Sequence, residues 1–156
     1  MSSIGYLARF VDRLGQTCVD IVKKHIAVSD SMWGPAWIAA LECRRDAASR
    51  AIQAEAGTKG VCQLQRDGRV TGGLKVHEGR LVALSRLLRQ AHGLAPEAIA
   101  ALVDAECARW EADLAAHRAK PRPSVPWLAY LQGGFDACRE ARELQTSFTN
   151  GVTHAD

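Results

Sequence analysis

The chain has no Cys-Xaa-Xaa-Cys pair, no uninterrupted apolar run near the roughly 18 residues of a membrane span, and no strong excess of either charge. Each absence removes a class. Its five cysteines (Cys18, Cys43, Cys62, Cys107 and Cys138) are odd in number and far apart, which argues against a disulfide framework or a zinc site and for reduced, buried thiols. The five histidines (His25, His77, His92, His117 and His154) are scattered, with no i, i+4 partner of the kind a helical metal site needs, so no metal and no cofactor is expected. There is no Gly-Xaa-Ser-Xaa-Gly elbow, no phosphate-cradling glycine loop before a helix and no flanked pair of acids. A catalytic role is therefore not expected. A basic leader with an apolar run and a small-residue cleavage site is missing as well, which points to the cytoplasm and away from a membrane.

What is present favours helices. Aromatic residues make up only 6% of the chain, and the 47% hydrophobic share rests mainly on alanine and leucine, the strongest helix formers among apolar residues. At 156 residues the chain is long enough to bury one core without staples. The expected class is mainly α (α+β): about five helices packed as one domain over residues 1–150, a single β-hairpin near residues 61–77, and a polar tail at 151–156.

Apolar side chains recur at spacings of three and four through Ile4, Leu7, Val11, Leu14, Cys18, Ile21, His25 and Val28. This heptad spacing predicts a helix over residues 3–27 whose stripe faces one partner along its length. Two arrangements fit it: core contact with other helices of the same chain, or an isologous homodimer in which Ile4, Leu7, Val11, Leu14 and Ile21 meet a second copy. Trp33-Gly34-Pro35 reads as the entrance to a second helix over 35–56, and Gly57 stands where a left-handed C-terminal cap is wanted.

Alternation replaces helical spacing further on. Cys62 and Leu64, then Val70, Gly72, Leu74 and Val76, alternate with polar residues around Asp67-Gly68, a pairing suited to a tight hairpin turn. Leu81, Leu84, Leu87, Leu88 and Ala91 predict a short helix ending at Gly93, and Pro96-Glu97 opens another through Leu114. These two are expected to pair. Three prolines between Lys120 and Pro126 make an extended connector, and a last helix from Trp127 is expected to loosen at Gly133-Gly134.

Charge is segregated. Residues 61–95 carry six basic side chains (Arg66, Arg69, Lys75, Arg80, Arg86, Arg89) and two acidic ones, whereas residues 96–119 carry five acids (Glu97, Asp104, Glu106, Glu111, Asp113) and two arginines. The candidate partner-binding residues are accordingly Arg44, Arg45, Arg66, Arg69, Lys75, Glu106 and Glu111. A DNA-binding regulator built from the hairpin and following helices is the alternative. Against it, Glu97, Asp104 and Glu106 on the would-be reading helix would oppose phosphates, and Arg89 stands where a small residue is wanted.

A compact, alanine-rich helical chain with one hairpin and no enzymatic motif resembles the small accessory proteins of bacterial phages and plasmids, anti-CRISPR proteins among them. The resemblance lies in general character over the whole chain, so it transfers no functional residue. It implies a non-enzymatic inhibitor that binds a host protein or nucleoprotein complex in the bacterial cytoplasm and blocks its engagement of target DNA.

Overall fold

A computed structural model describes residues 33–57 and 72–152. The described residues form four helices: α1 (Trp33–Ala56), α2 (Gly72–Ala91), α3 (Pro96–Arg118) and α4 (Val125–Val152). The heptad segment at 3–27 lies outside them, as do residues 61–71. None of the described helices is long and apolar enough to cross a membrane.

Each helix end has a local cause. Pro35 falls in the first turn of α1, where its missing N–H would have had no intrahelical acceptor. Gly57 (φ 62°) and Gly93 (φ 79°) take the left-handed conformation that stops α1 and α2, and the Gly57 N–H closes the last turn on Gln53 O at 2.9 Å. Pro96 opens α3 from an extended Ala95, with Glu97 near the positive end of the helix dipole and His117 and Arg118 near the negative end.

The hairpin expected near 61–77 is corrected by the structure: residues 72–77 are the first turns of α2, and no strand occurs among the described residues. Alternation over so few positions fits both periods, and tertiary burial decides between them. Leu74 and Leu84 enter the core on one face of α2, and Lys75 Nζ reaches Glu78 Oε2 at 2.6 Å, an i, i+3 contact that a helix brings about. The short helix ending at Gly93 is therefore 20 residues long. Against about five helices expected, the described residues hold four.

The order of packing is α1, α2, α4, α3. The most extensive contact is between α2 and α4; α1 covers the other side of α2, and α3 lies on α4. The helices on either side of Gly93 thus meet only lightly, and α4 separates most of their length. Small residues cause this. A Cβ at Gly79 would collide with the Tyr130 carbonyl oxygen, and one at Gly133 with the Val76 carbonyl oxygen, so α2 and α4 cross backbone to backbone. Gly134 admits the Trp110 ring of α3: a Cβ there would lie 2.6 Å from Trp110 Cη2. The Gly133-Gly134 pair, expected to loosen the last helix, instead sits within continuous helix and fastens both neighbours to it. Around the crossing Trp37, Leu41, Leu84, Leu87, Ile99, Val103, Trp110, Leu131 and Cys138 form one core. Trp37 Nε1 donates to Ala141 O at 2.9 Å, tying α1 to α4.

Candidate recognition surface

Two carboxylates within the bundle hold arginines from different helices. Glu140 of α4 accepts from both Nη atoms of Arg80 (2.9 and 2.7 Å) and from Arg44 Nη1 at 2.5 Å, joining α1, α2 and α4. Burial pushes the Glu140 carboxyl up, but the two guanidiniums outweigh it and hold the group below the ordinary carboxylate value. Glu106 of α3, 5% exposed, accepts from Arg109 Nη2 at 2.7 Å and forms an ion pair with Arg86, whose Nε lies 2.7 Å from its Oε1. Such pairs give the helix contacts a fixed register, because removing one partner strands a charge.

The candidate partner-binding residues therefore stand in different settings. Arg44 and Glu106 are engaged inside the bundle. Arg45 is half-exposed on Asp46 at 2.8 Å, and Lys75 is paired to Glu78 on α2. Glu111 lies exposed on the outer face of α3, as do Glu97, Asp104 and Asp113. Arg66 and Arg69 lie outside the described residues, as does the self-association stripe of Ile4, Leu7, Val11, Leu14 and Ile21. The described members are spread over three helices: Arg44 and Arg45 are on α1, Lys75 is on α2, and Glu106 and Glu111 are on α3.

Among the cysteines, Cys107 and Cys138 are buried and Cys43 is partly exposed. A hydrogen bond from Cys138 lowers the Cys107 thiol, while that bond together with burial pushes Cys138 well above the ordinary thiol value. The pair sits where α3 packs on α4, at 2% and 0% exposure, closed off from solutes. Among the described residues no group of three or more His, Cys, Asp or Glu could hold a metal ion.

A surface not marked by charge counting alone lies at the α3–α4 corner. Trp127 retains 48% exposure and Val125 73%, two of the most exposed large apolar side chains among the described residues. The Trp127 ring stacks on Tyr130 (centroids 4.9 Å apart, planes at 18°), and Tyr130 leans on buried Trp110 at 5.6 Å. The loop beside it is tied down: the Ser124 N–H donates to His117 Nε2 at 3.1 Å, and Ser124 O accepts the Leu128 N–H at 2.9 Å. Arg118 at the end of α3 and Lys120 and Arg122 in that loop are exposed to solvent, and none of them meets a carboxylate among the described residues. The signal was present in the sequence, since no Asp or Glu occurs between Asp113 and Asp136. The prolines of residues 120–126 mark an extended connector and say nothing of its charge. Compared with protein-family models, with curated proteins and with solved structures, the chain matches none of them, so the site rests on its own residues.

Proposed function

We propose that this chain is a non-catalytic binding protein that captures and inhibits a host protein or nucleoprotein complex through charged surface, as an anti-CRISPR protein does when it blocks engagement of target DNA. One observation carries the reading: charge is divided between internal and external use. Arg44 and Arg80 are spent on Glu140, and Arg86 and Arg109 on Glu106, whereas Arg118, Lys120 and Arg122 are exposed and meet no carboxylate among the described residues. An exposed cluster of one sign repels itself and raises the free energy of the isolated protein. A partner of opposite sign relieves that cost and steers encounter. The acidic outer face of α3, with Glu97 and Glu111 exposed, offers a second surface of opposite sign, and Arg66 and Arg69 remain in the proposal from the sequence.

The test is capture from host lysate on immobilised protein, with nuclease added or omitted. Three double reversals are compared: Lys120→Glu with Arg122→Glu, Glu97→Lys with Glu111→Lys, and Arg66→Glu with Arg69→Glu. At least one should remove the captured complex while leaving the melting curve in place. Capture unchanged by all three would refute recognition through these surfaces.

A further inference from the structure

The α3–α4 corner combines two features that seldom share one patch, an exposed tryptophan stacked on a tyrosine and a run of cations that meet no carboxylate among the described residues. We propose that it is a docking site for single-stranded nucleic acid, with a base stacking on Trp127 and the backbone following Arg118, Lys120 and Arg122. The proposal deepens the reading of the chain as a binder of a nucleoprotein partner, and names which component of that partner docks here.

The aromatic part is built for a flat ligand. Tyr130 supports one face of Trp127 in a near-parallel stack and is itself backed by Trp110, which is 2% exposed and wedged into Gly134. The tryptophan is thus held by a rigid column of rings and keeps 48% of its surface in water. Every base has a π face, so such a platform binds without choosing sequence. The cationic part stands next to it. Lys120 Nζ lies 3.0 Å from His117 Nδ1, and the His117 ring is 6.4 Å from Trp127, so the ammonium stands one imidazole away from the platform. Arg118 Nη2 donates to Gln132 Oε1 at 2.7 Å, which aims it along α4 from its exposed position. Pro121 and Pro123 restrict the backbone of the loop, so less backbone freedom is lost there when a ligand arrives.

Competing ligands use only part of this. A duplex keeps its bases stacked on each other and offers Trp127 no free face. An acidic peptide would answer the cations and leave the tryptophan without a flat partner. A single strand satisfies both, because phosphates and unstacked bases alternate along it.

The experiment uses the full chain and a fluorescein-labelled 20-nucleotide oligo(dT), read by anisotropy. If three phosphates are neutralised, the log–log salt slope is about −2, so affinity should fall about 20-fold between 50 and 200 mM salt. Trp127→Ala should weaken binding about 5- to 150-fold, the range for losing one base–aromatic stack, and Trp127→Phe should restore most of it. Arg122→Glu, an exposed change that leaves the ring column intact, should weaken binding and flatten the salt slope. A blunt duplex of equal length and a poly-glutamate peptide should bind or compete at least tenfold less well. The proposal is overturned by an absence of oligo(dT) binding at 50 mM salt, by binding indifferent to Trp127→Ala, or by duplex or poly-glutamate matching the single strand. If oligo(dT) fails while the Lys120 and Arg122 reversal still removes a nuclease-resistant captured complex, the single-strand proposal falls and the protein-binding reading stands.

Discussion

Replacing Gly133 with alanine sets local propensity against tertiary packing, with a predictable winner. In an exposed helix the change should stabilise by about 1 kcal/mol, because glycine is the poorest helix former after proline. At position 133 the new Cβ would meet backbone: the Val76 carbonyl oxygen, its carbonyl carbon at 2.8 Å and Val76 Cα at 2.9 Å. No rotamer relieves this. Carbon atoms settle at about 3.5 to 4.0 Å and the carbonyl oxygen is the nearest atom of all, so α2 and α4 must part by roughly 1 Å, and a gap of that size forfeits up to about half of each dispersion contact across the interface. Insertions into close-packed cores cost about 1 to 3 kcal/mol when side chains can yield, and a rigid carbonyl places this one at the upper end. After the propensity gain is subtracted, Gly133→Ala should destabilise by about 2 kcal/mol. Gly72→Ala is the control, since a Cβ there meets nothing within 4 Å; as the first residue of α2 it gains less than the interior figure and should stay within about 0.5 kcal/mol of the parent. Urea unfolding followed by tryptophan fluorescence would compare the three proteins. If Gly133→Ala is as stable as the parent, the backbone crossing of α2 and α4 is not what holds them together.

Two further changes probe other contacts. Glu140→Gln keeps the shape but removes the charge shared by Arg44 and Arg80, and should cost about 2 kcal/mol at pH 7, below the roughly 3 to 5 of a fully buried pair because Glu140 keeps 25% side-chain exposure. Since the folded protein holds this carboxyl below its ordinary value of 4.5, the stabilisation is complete above that pH and is lost as pH falls through the folded value; denaturation curves from pH 7 to 3 should show parent and variant converging in acid, and a constant gap would refute the assignment. Trp37→Phe deletes the hydrogen bond to Ala141 O and part of a fully buried ring, so its urea midpoint should drop by an amount equivalent to about 1 to 3 kcal/mol; an unchanged midpoint would mean that α1 is not anchored on α4 through this side chain.

Much of the helical outline was legible because its causes are local. Gly57 and Gly93 end helices through backbone angles that glycine adopts without a Cβ penalty, and Pro96 begins one for want of an N–H, whatever surrounds them. Residues 70–76 show the opposite situation. Their alternation was compatible with a strand, and only burial of Leu74 and the approach of Val76 to Gly133 made the described part of it helix. The Gly133-Gly134 pair carried the same ambiguity, because a glycine weakens an isolated helix and permits a close crossing, and which effect matters depends on what lies opposite.

Charge followed the same division. Composition by itself determined that residues 61–95 are basic and 96–119 acidic, since a sum along the chain needs no geometry. Which of those charges face outward was decided in three dimensions: Glu106 turned inward to Arg86 and Arg109 while Glu111, five residues on, stayed in water. The stack of Trp127 on Tyr130 is an i, i+3 contact within α4, whereas its backing by Trp110 arises only when the turn after His117 brings α3 against α4. Local backbone chemistry set where the helices end. Packing between residues far apart in sequence chose their neighbours and the surface they present, because burial energy depends on the facing atom and that atom is not nearby in the chain.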